Sequence, residues 1–137
     1  MATRAKRLEY GVSMDRDWTL WSNLGGDPIP KQDAWEAEHL LFAGLVRCVL
    51  TSLGYHARRA GVEVRSSGAV HGVVTKRDED GRYAVVEVDV SLDVELGTPF
   101  VREDLRALLA KAERDCFVGA SLTTAPRYAW TVNGEEI

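Results

Sequence analysis

From Val86 to Leu96 the chain alternates without a break. Val86, Val88, Val90, Leu92, Val94 and Leu96 are apolar, and Glu87, Asp89, Ser91, Asp93 and Glu95 between them are polar. A period of two turns one apolar face inward and one acidic face to water, so the pattern predicts a half-buried strand over Tyr83 to Leu96. A second strand, Val62 to Lys76, precedes it, and Asp80-Gly81 within residues 77–82 supplies a favoured hairpin turn. Residues 8–22 also have strand character. Asp15-Arg16-Asp17 makes a turn there between Val12-Ser13-Met14 and Trp18-Thr19-Leu20-Trp21. Asn23, Gly25, Gly26, Asp27, Pro28 and Pro30 mark residues 23–32 as a loop.

The pattern then changes to a helical one. Asp33 followed by Glu36 matches a capping box and predicts a helix that runs to Ala60, with Gly61 as its left-handed stop. From Leu40 to Leu53 this helix is apolar almost all round, interrupted by Arg47, Thr51 and Ser52. Such a helix belongs in an interior. One domain of this length has little with which to surround it, so a partner subunit is expected to cover part of it. Its last turns, Tyr55-His56-Ala57-Arg58-Arg59, become polar and cationic, as the negative end of the helix dipole favours. Beyond Gly97-Thr98-Pro99 a helix is expected from Arg102 to Asp115, with Leu105, Leu108, Leu109 and Ala112 on one face. A short helix over Phe117 to Leu122 and a closing strand over Arg127 to Val132 follow. This order describes one α+β domain over residues 1–137, an antiparallel sheet packed on a long central buried helix.

Composition narrows the function classes. The 137 residues are 45% apolar and 28% charged, an ordinary globular balance. The formal net charge is −4 and no basic cluster stands out, which argues against nucleic acid as a partner. The basic start, Arg4 to Arg7, is not followed by an apolar signal-peptide core. The longest apolar run, Leu40 to Val46, is far shorter than the ~20 residues of a membrane span. A cytoplasmic location without membrane association is therefore expected. His39, His56 and His71 share no metal-ligand spacing, and no metal or other cofactor is expected. Trp18, Trp21 and Trp35 lack a basic groove beside them and are expected to serve packing. Gly25-Gly26 carries no phosphate-binding pattern.

Two cysteines remain. Cys48 lies near the middle of the apolar helix, between Arg47 and Val49, and by itself behaves as a small core hydrophobe. Cys116 sits where the second long helix breaks, at the start of the short helix, where unpaired N–H groups favour a thiolate. Arg47 and Arg114 are close in sequence, but neighbouring residues on a helix point in different directions. In a reducing compartment the residues alone leave two readings open, a pair of buried thiols or a redox couple.

The segment Glu38-His39-Leu40-Leu41-Phe42-Ala43-Gly44-Leu45-Val46-Arg47-Cys48 resembles the first active-site motif of the OsmC/Ohr peroxidases. That motif has an acidic residue ten positions before the reactive cysteine. Lys111-Ala112-Glu113-Arg114-Asp115-Cys116 is similar to the family's helix ending in the resolving cysteine, and the resemblance extends over roughly residues 8–133. It implies an intertwined homodimer in which Cys48 attacks an organic hydroperoxide. Cys116 then resolves the sulfenic acid as a disulfide, and an external dithiol, of which lipoyl compounds are one type, reduces it. It further implies that Glu38 holds an N-terminal arginine that activates the thiol. Alignment of Val12-Ser13-Met14-Asp15 with the family's second strand gives Arg7 that place, with Arg4 and Arg16 as alternatives. The chain departs from the family at its short N-terminus, at Glu36-Ala37 in place of Asn-Pro, and at Phe117 in place of a proline. A non-catalytic dimer that binds a small apolar ligand, or a one-cysteine redox sensor, is the competing reading.

One geometric constraint bears on the oligomer. Ten residues of straight helix span ~15 Å. Glu38 therefore reaches a Cys48 thiol only if the helix bends after residue 40, or if an antiparallel partner helix brings its own Glu38 across.

Overall fold

The computed structural model describes residues 5–137, which leaves Arg4 outside the described residues. The chain divides into two compact units, one up to Ala37 and one from Glu38 onward. In the first, strands β1 (Val12–Met14) and β2 (Leu20–Ser22) form an antiparallel hairpin. Asp15 organises its loop. The carboxylate accepts the N–H groups of Asp17 and Thr19 at 2.9 and 3.0 Å and the Trp21 indole N–H at 3.0 Å. The indole above all holds the Asp15 carboxyl below its ordinary pKa.

The helix does not begin at Asp33 as the spacing predicts: residues 33–34 are a turn, and the Trp35 N–H bonds to the Gln32 carbonyl at 3.0 Å. Helix α1 consequently starts later and runs unbroken from Ala37 to Arg59. Its end follows expectation: Gly61 takes φ +72°, and the Val62 N–H returns to the Ala57 carbonyl at 2.9 Å. By length and composition alone α1 is apolar enough to cross a membrane. In this fold Leu45, Val49, Leu53 and Ala57 form a stripe at i, i+4 that is fully buried in the core. The other apolar positions are only partly covered within the chain, and Leu40 and Leu41 are each 38% exposed.

The second unit is a two-layer α+β arrangement. Strands β3 (Val64–Lys76), β4 (Tyr83–Leu96), β5 (Arg127–Val132) and β6 (Glu135–Glu136) lie side by side in that order. β3 and β4 pair antiparallel, but β4 and β5 pair parallel, so the sheet is mixed rather than wholly antiparallel. Parallel neighbours need a crossover, and helices α2 (Arg102–Arg114) and α3 (Phe117–Ser121) supply it. Strand β6 was not expected. It hairpins back on β5 through Asn133 and Gly134, both at positive φ (49° and 83°).

The alternation in β4 carries into the fold at five of its six apolar positions. Val88, Val90, Leu92, Val94 and Leu96 are buried, whereas Val86 is not part of that core. A bulge makes Val73 face Glu87 and Val74 face Val85, so Val86 is the extra residue and Val85 turns toward the core in its place. The same face of β5 carries Tyr128, Trp130 and Val132, in register with Val90, Leu92 and Val94. On α2 the expected Leu105, Leu108, Leu109 and Ala112 are buried against this layer.

Glycines on β3 let α1 approach the sheet. A Cβ at Gly68 would lie 2.8 Å from both Val46 Cγ2 and Leu92 Cδ2, and one at Gly72 would strike the Phe42 ring. Phe42 and Val46 are one turn apart on α1, and Gly68 and Gly72 are two pleats apart on β3. The pairing seats the helix flat on the strand, two residues before Cys48.

Candidate functional site

Cys48 and Cys116, far apart in sequence, are neighbours in the fold, close enough that the Cys48 thiol bears on the ionisation of Cys116. Neither is in a disulfide. Helix α1 presents Cys48 beside the buried Leu45 and Val49, and the thiol is half-buried. Cys116 is fully buried and stands at the break between α2 and α3, its φ of −80° and ψ of 102° ending one helix and starting the next. Leu45 and Cys116 both border the space above Gly119, where a Cβ would lie 3.7 Å from each.

Burial pushes the Cys116 thiol up to about 11. The Gly119 N–H opposes that shift, although the sulfur makes no capping hydrogen bond of ordinary geometry. The Cys48 thiol adds to the rise and the Tyr128 hydroxyl reduces it. None of these groups is a guanidinium. At neutral pH Cys116 is therefore a neutral thiol inside the protein, and Cys48 is the more accessible of the two.

Charged and polar side chains brace the α2–α3 break from both sides. Asp115, next to Cys116, accepts from His56 of α1 at 2.7 Å and from Arg114 at 3.0 and 3.1 Å. Arg114 first, then His56, hold its carboxyl down at about 2. Two residues earlier, Glu113 accepts the Trp130 indole N–H of β5 at 2.9 Å. Helices α1 and α2 and strand β5 are thus tied together around the thiols.

The remaining sequence candidates are described each within its own unit. Glu38 is exposed in the first turn of α1. Since α1 is unbroken, Glu38 lies ~15 Å along the axis from Cys48 of the same chain. Arg7 belongs to the N-terminal unit, where it pairs with Glu9 at 2.8 Å and is well exposed, and Arg16 is exposed in the β1–β2 loop. Among the described residues no cluster of three or more His, Cys, Asp or Glu is arranged to hold a metal ion. The sequence motifs give Tyr128, Glu113 and His56 no role at the thiol pair. The alternation of Tyr128, Trp130 and Val132 along β5 was the available signal for the first, since it puts Tyr128 on the core face.

A family model described as OsmC-like protein matches residues 30–131. The chain belongs to the OsmC-like family. Solved structures agree at the level of the fold. An OsmC-like protein of unknown function from Vibrio cholerae superposes with a TM-score of 0.74 at 13% identity, covering 91% of this chain and 100% of that one. The organic hydroperoxide resistance protein OhrB of Bacillus subtilis gives 0.57 at 19% identity, covering 90% and 96%. An organic hydroperoxide resistance protein from Elizabethkingia anophelis gives 0.65 at 16% identity, covering 94% and 98%. No curated protein matches the sequence. This OsmC-like chain thus shares its architecture both with proteins named for hydroperoxide resistance and with one of unknown function.

Proposed function

We propose that this OsmC-like protein is a thiol peroxidase that reduces organic hydroperoxides to alcohols, with Cys48 as the attacking thiol and Cys116 as the resolving one. The observation that carries the reading is the meeting of two reduced cysteines in one core, the first half-buried and the second fully enclosed and neutral. The Cys48 thiolate attacks the distal peroxide oxygen. An S–O bond forms, the O–O bond breaks, and the alkoxide leaves as alcohol after taking a proton. The Cys116 sulfur then attacks the sulfenic sulfur. An S–S bond forms and the hydroxyl leaves as water with the Cys116 proton. An external dithiol, lipoyl-type in one form, returns two electrons.

The thiolate is the attacking form, and a cation beside a thiol raises the thiolate fraction. Arg7 is the first candidate, with Arg4 and Arg16 as alternatives, and Glu38 is its anchor. The ~15 Å between Glu38 and Cys48 along an unbroken α1 favours a homodimer in which a partner's helix runs antiparallel and lends its own Glu38. Exposed apolar residues support the same assembly: Leu40 and Leu41 on α1, and Leu8, Tyr10, Val12 and Trp21 in the N-terminal unit.

The test is oxidation by one equivalent of cumene hydroperoxide followed by mass spectrometry. The expected product has lost ~2 Da to an intramolecular Cys48–Cys116 disulfide. Cys48→Ser abolishes peroxide consumption, and Cys116→Ser permits one turnover and leaves a trappable sulfenic acid. Unchanged turnover in both variants would refute the reading.

A further inference from the structure

The half-buried Tyr128 of β5 lies against the resolving thiol, and neither the sequence motifs nor the peroxidase reading gives it a task. Three groups converge above Gly119. A Cβ built there would lie 2.7 Å from the Tyr128 hydroxyl, 3.7 Å from Cys116 Sγ and 3.7 Å from Leu45 Cδ1. The hydroxyl and the sulfur therefore share one gap that exists because residue 119 has no side chain. Strand register explains how the phenol arrives: Tyr128 pairs with the buried Val90 of β4 and points to the same face as Trp130 and Val132.

We propose that Tyr128 is a catalytic residue of the resolving step, its phenol O–H donating a hydrogen bond to the Cys116 sulfur as that sulfur attacks oxidised Cys48. The proposal rests on the peroxidase reading given above. Its chemical motive is the enclosure of Cys116. A fully buried thiol must shed its proton to attack, and burial opposes the charge that results. A neutral donor beside the sulfur offsets that penalty without adding a competing charge. The phenol is suited to this because it keeps its own proton: burial first, then the charge of Cys116, raise its pKa above the ordinary tyrosine value. The groups that face the pair are the Cys48 thiol of α1, the Glu113 carboxylate of α2 and the Gly119 N–H of α3. Glu113 is occupied by the Trp130 indole, and its negative charge adds to the forces that keep the phenol protonated. The atoms balance without a further reagent. Cys116 loses its proton, the S–S bond forms, the S–O bond of Cys48 breaks, and the proton leaves in the water released.

The experiment uses the full-length reduced protein, one equivalent of cumene hydroperoxide, and dimedone to trap sulfenic acid in competition with disulfide formation. Removing a hydrogen bond to a developing thiolate slows the step it serves by about ten- to hundredfold. In Tyr128→Phe the ratio of trapped Cys48 to disulfide rises by that factor, and the pH at which disulfide formation becomes half-maximal moves upward. Gly119→Ala keeps the phenol but forces its hydroxyl out of the gap, so it moves both readouts in the same direction. A purely structural tyrosine would leave the pH profile of resolution in place. Wild-type partitioning and pH profile in either folded variant, with Cys48 oxidised normally in the parent, overturn the role of Tyr128 alone. A parent protein whose Cys48 is not oxidised overturns the peroxidase reading and this proposal with it.

Discussion

Replacing Gly68 by alanine tests how closely α1 sits on the sheet. The new methyl group would lie 2.8 Å from Val46 Cγ2, 2.8 Å from Leu92 Cδ2 and 3.1 Å from the Ser91 carbonyl oxygen. The first two are side chains packed in the core and the third is backbone, so none can withdraw freely. Overpacking of this kind costs about 1–3 kcal/mol. The substitution also restricts the unfolded chain, which offsets about 0.4–1 kcal/mol. The net loss is about 0–2.6 kcal/mol, and each kcal/mol lowers the melting midpoint by about 3.5 °C for a chain of this size. Gly54→Ala is the control. It lies on α1 itself, and a Cβ there meets only the flexible end of Arg58 at 3.5 Å. It should gain about 0.8–1 kcal/mol of helix propensity and melt higher. Thermal melts followed by far-ultraviolet circular dichroism compare the two directly. A Gly68→Ala protein that melts above the parent would refute the seating of Val46 on β3, and with it the account of how Cys48 is positioned.

Two further outcomes follow from the site's electrostatics. Maleimide at neutral pH should modify Cys48 first and reach Cys116 only after denaturation, because Cys116 is enclosed and its thiol is pushed up to about 11; equal labelling rates in the native protein would contradict this. Asp115 has a folded-state pKa lowered to about 2, so its contribution to stability is complete above the ordinary carboxylate range and is lost as pH falls through about 2. Asp115→Asn should therefore flatten the acid side of a plot of melting midpoint against pH, and superimposable acid limbs for variant and parent would count against the His56–Asp115–Arg114 brace.

Much of this architecture is written in local periodicity. The alternation through β4 and the i, i+3, i+4 spacing of Leu105, Leu108 and Leu109 each specify an element and its buried face. What escaped had specific causes. Asp33 looked like a cap because its spacing from Glu36 is right, yet residues 33–34 form a turn and the helix opens only at Ala37. Val86 belongs to the alternation by sequence but stands at a bulge, and bulges depend on the partner strand. Strand β6 was legible and overlooked: Asn133-Gly134 after Val132 is a strong hairpin signal. The thiol pair was suggested by family motifs, whereas their physical proximity depends on a parallel pairing that no local pattern encodes. Tyr128 and His56 escaped for the same reason, since each matters only through a group distant in sequence.

The crossover between β4 and β5 has a consequence for when the two sulfurs can meet. Parallel neighbours cannot zip from a turn, so β5 docks only after the intervening helices have folded back across the sheet. Until then Cys116 travels on an open loop and encounters Cys48 no more often than any remote segment would. The proximity of Cys48 and Cys116 is thus a property of the completed topology, and a chain that stalls before that last docking lacks it.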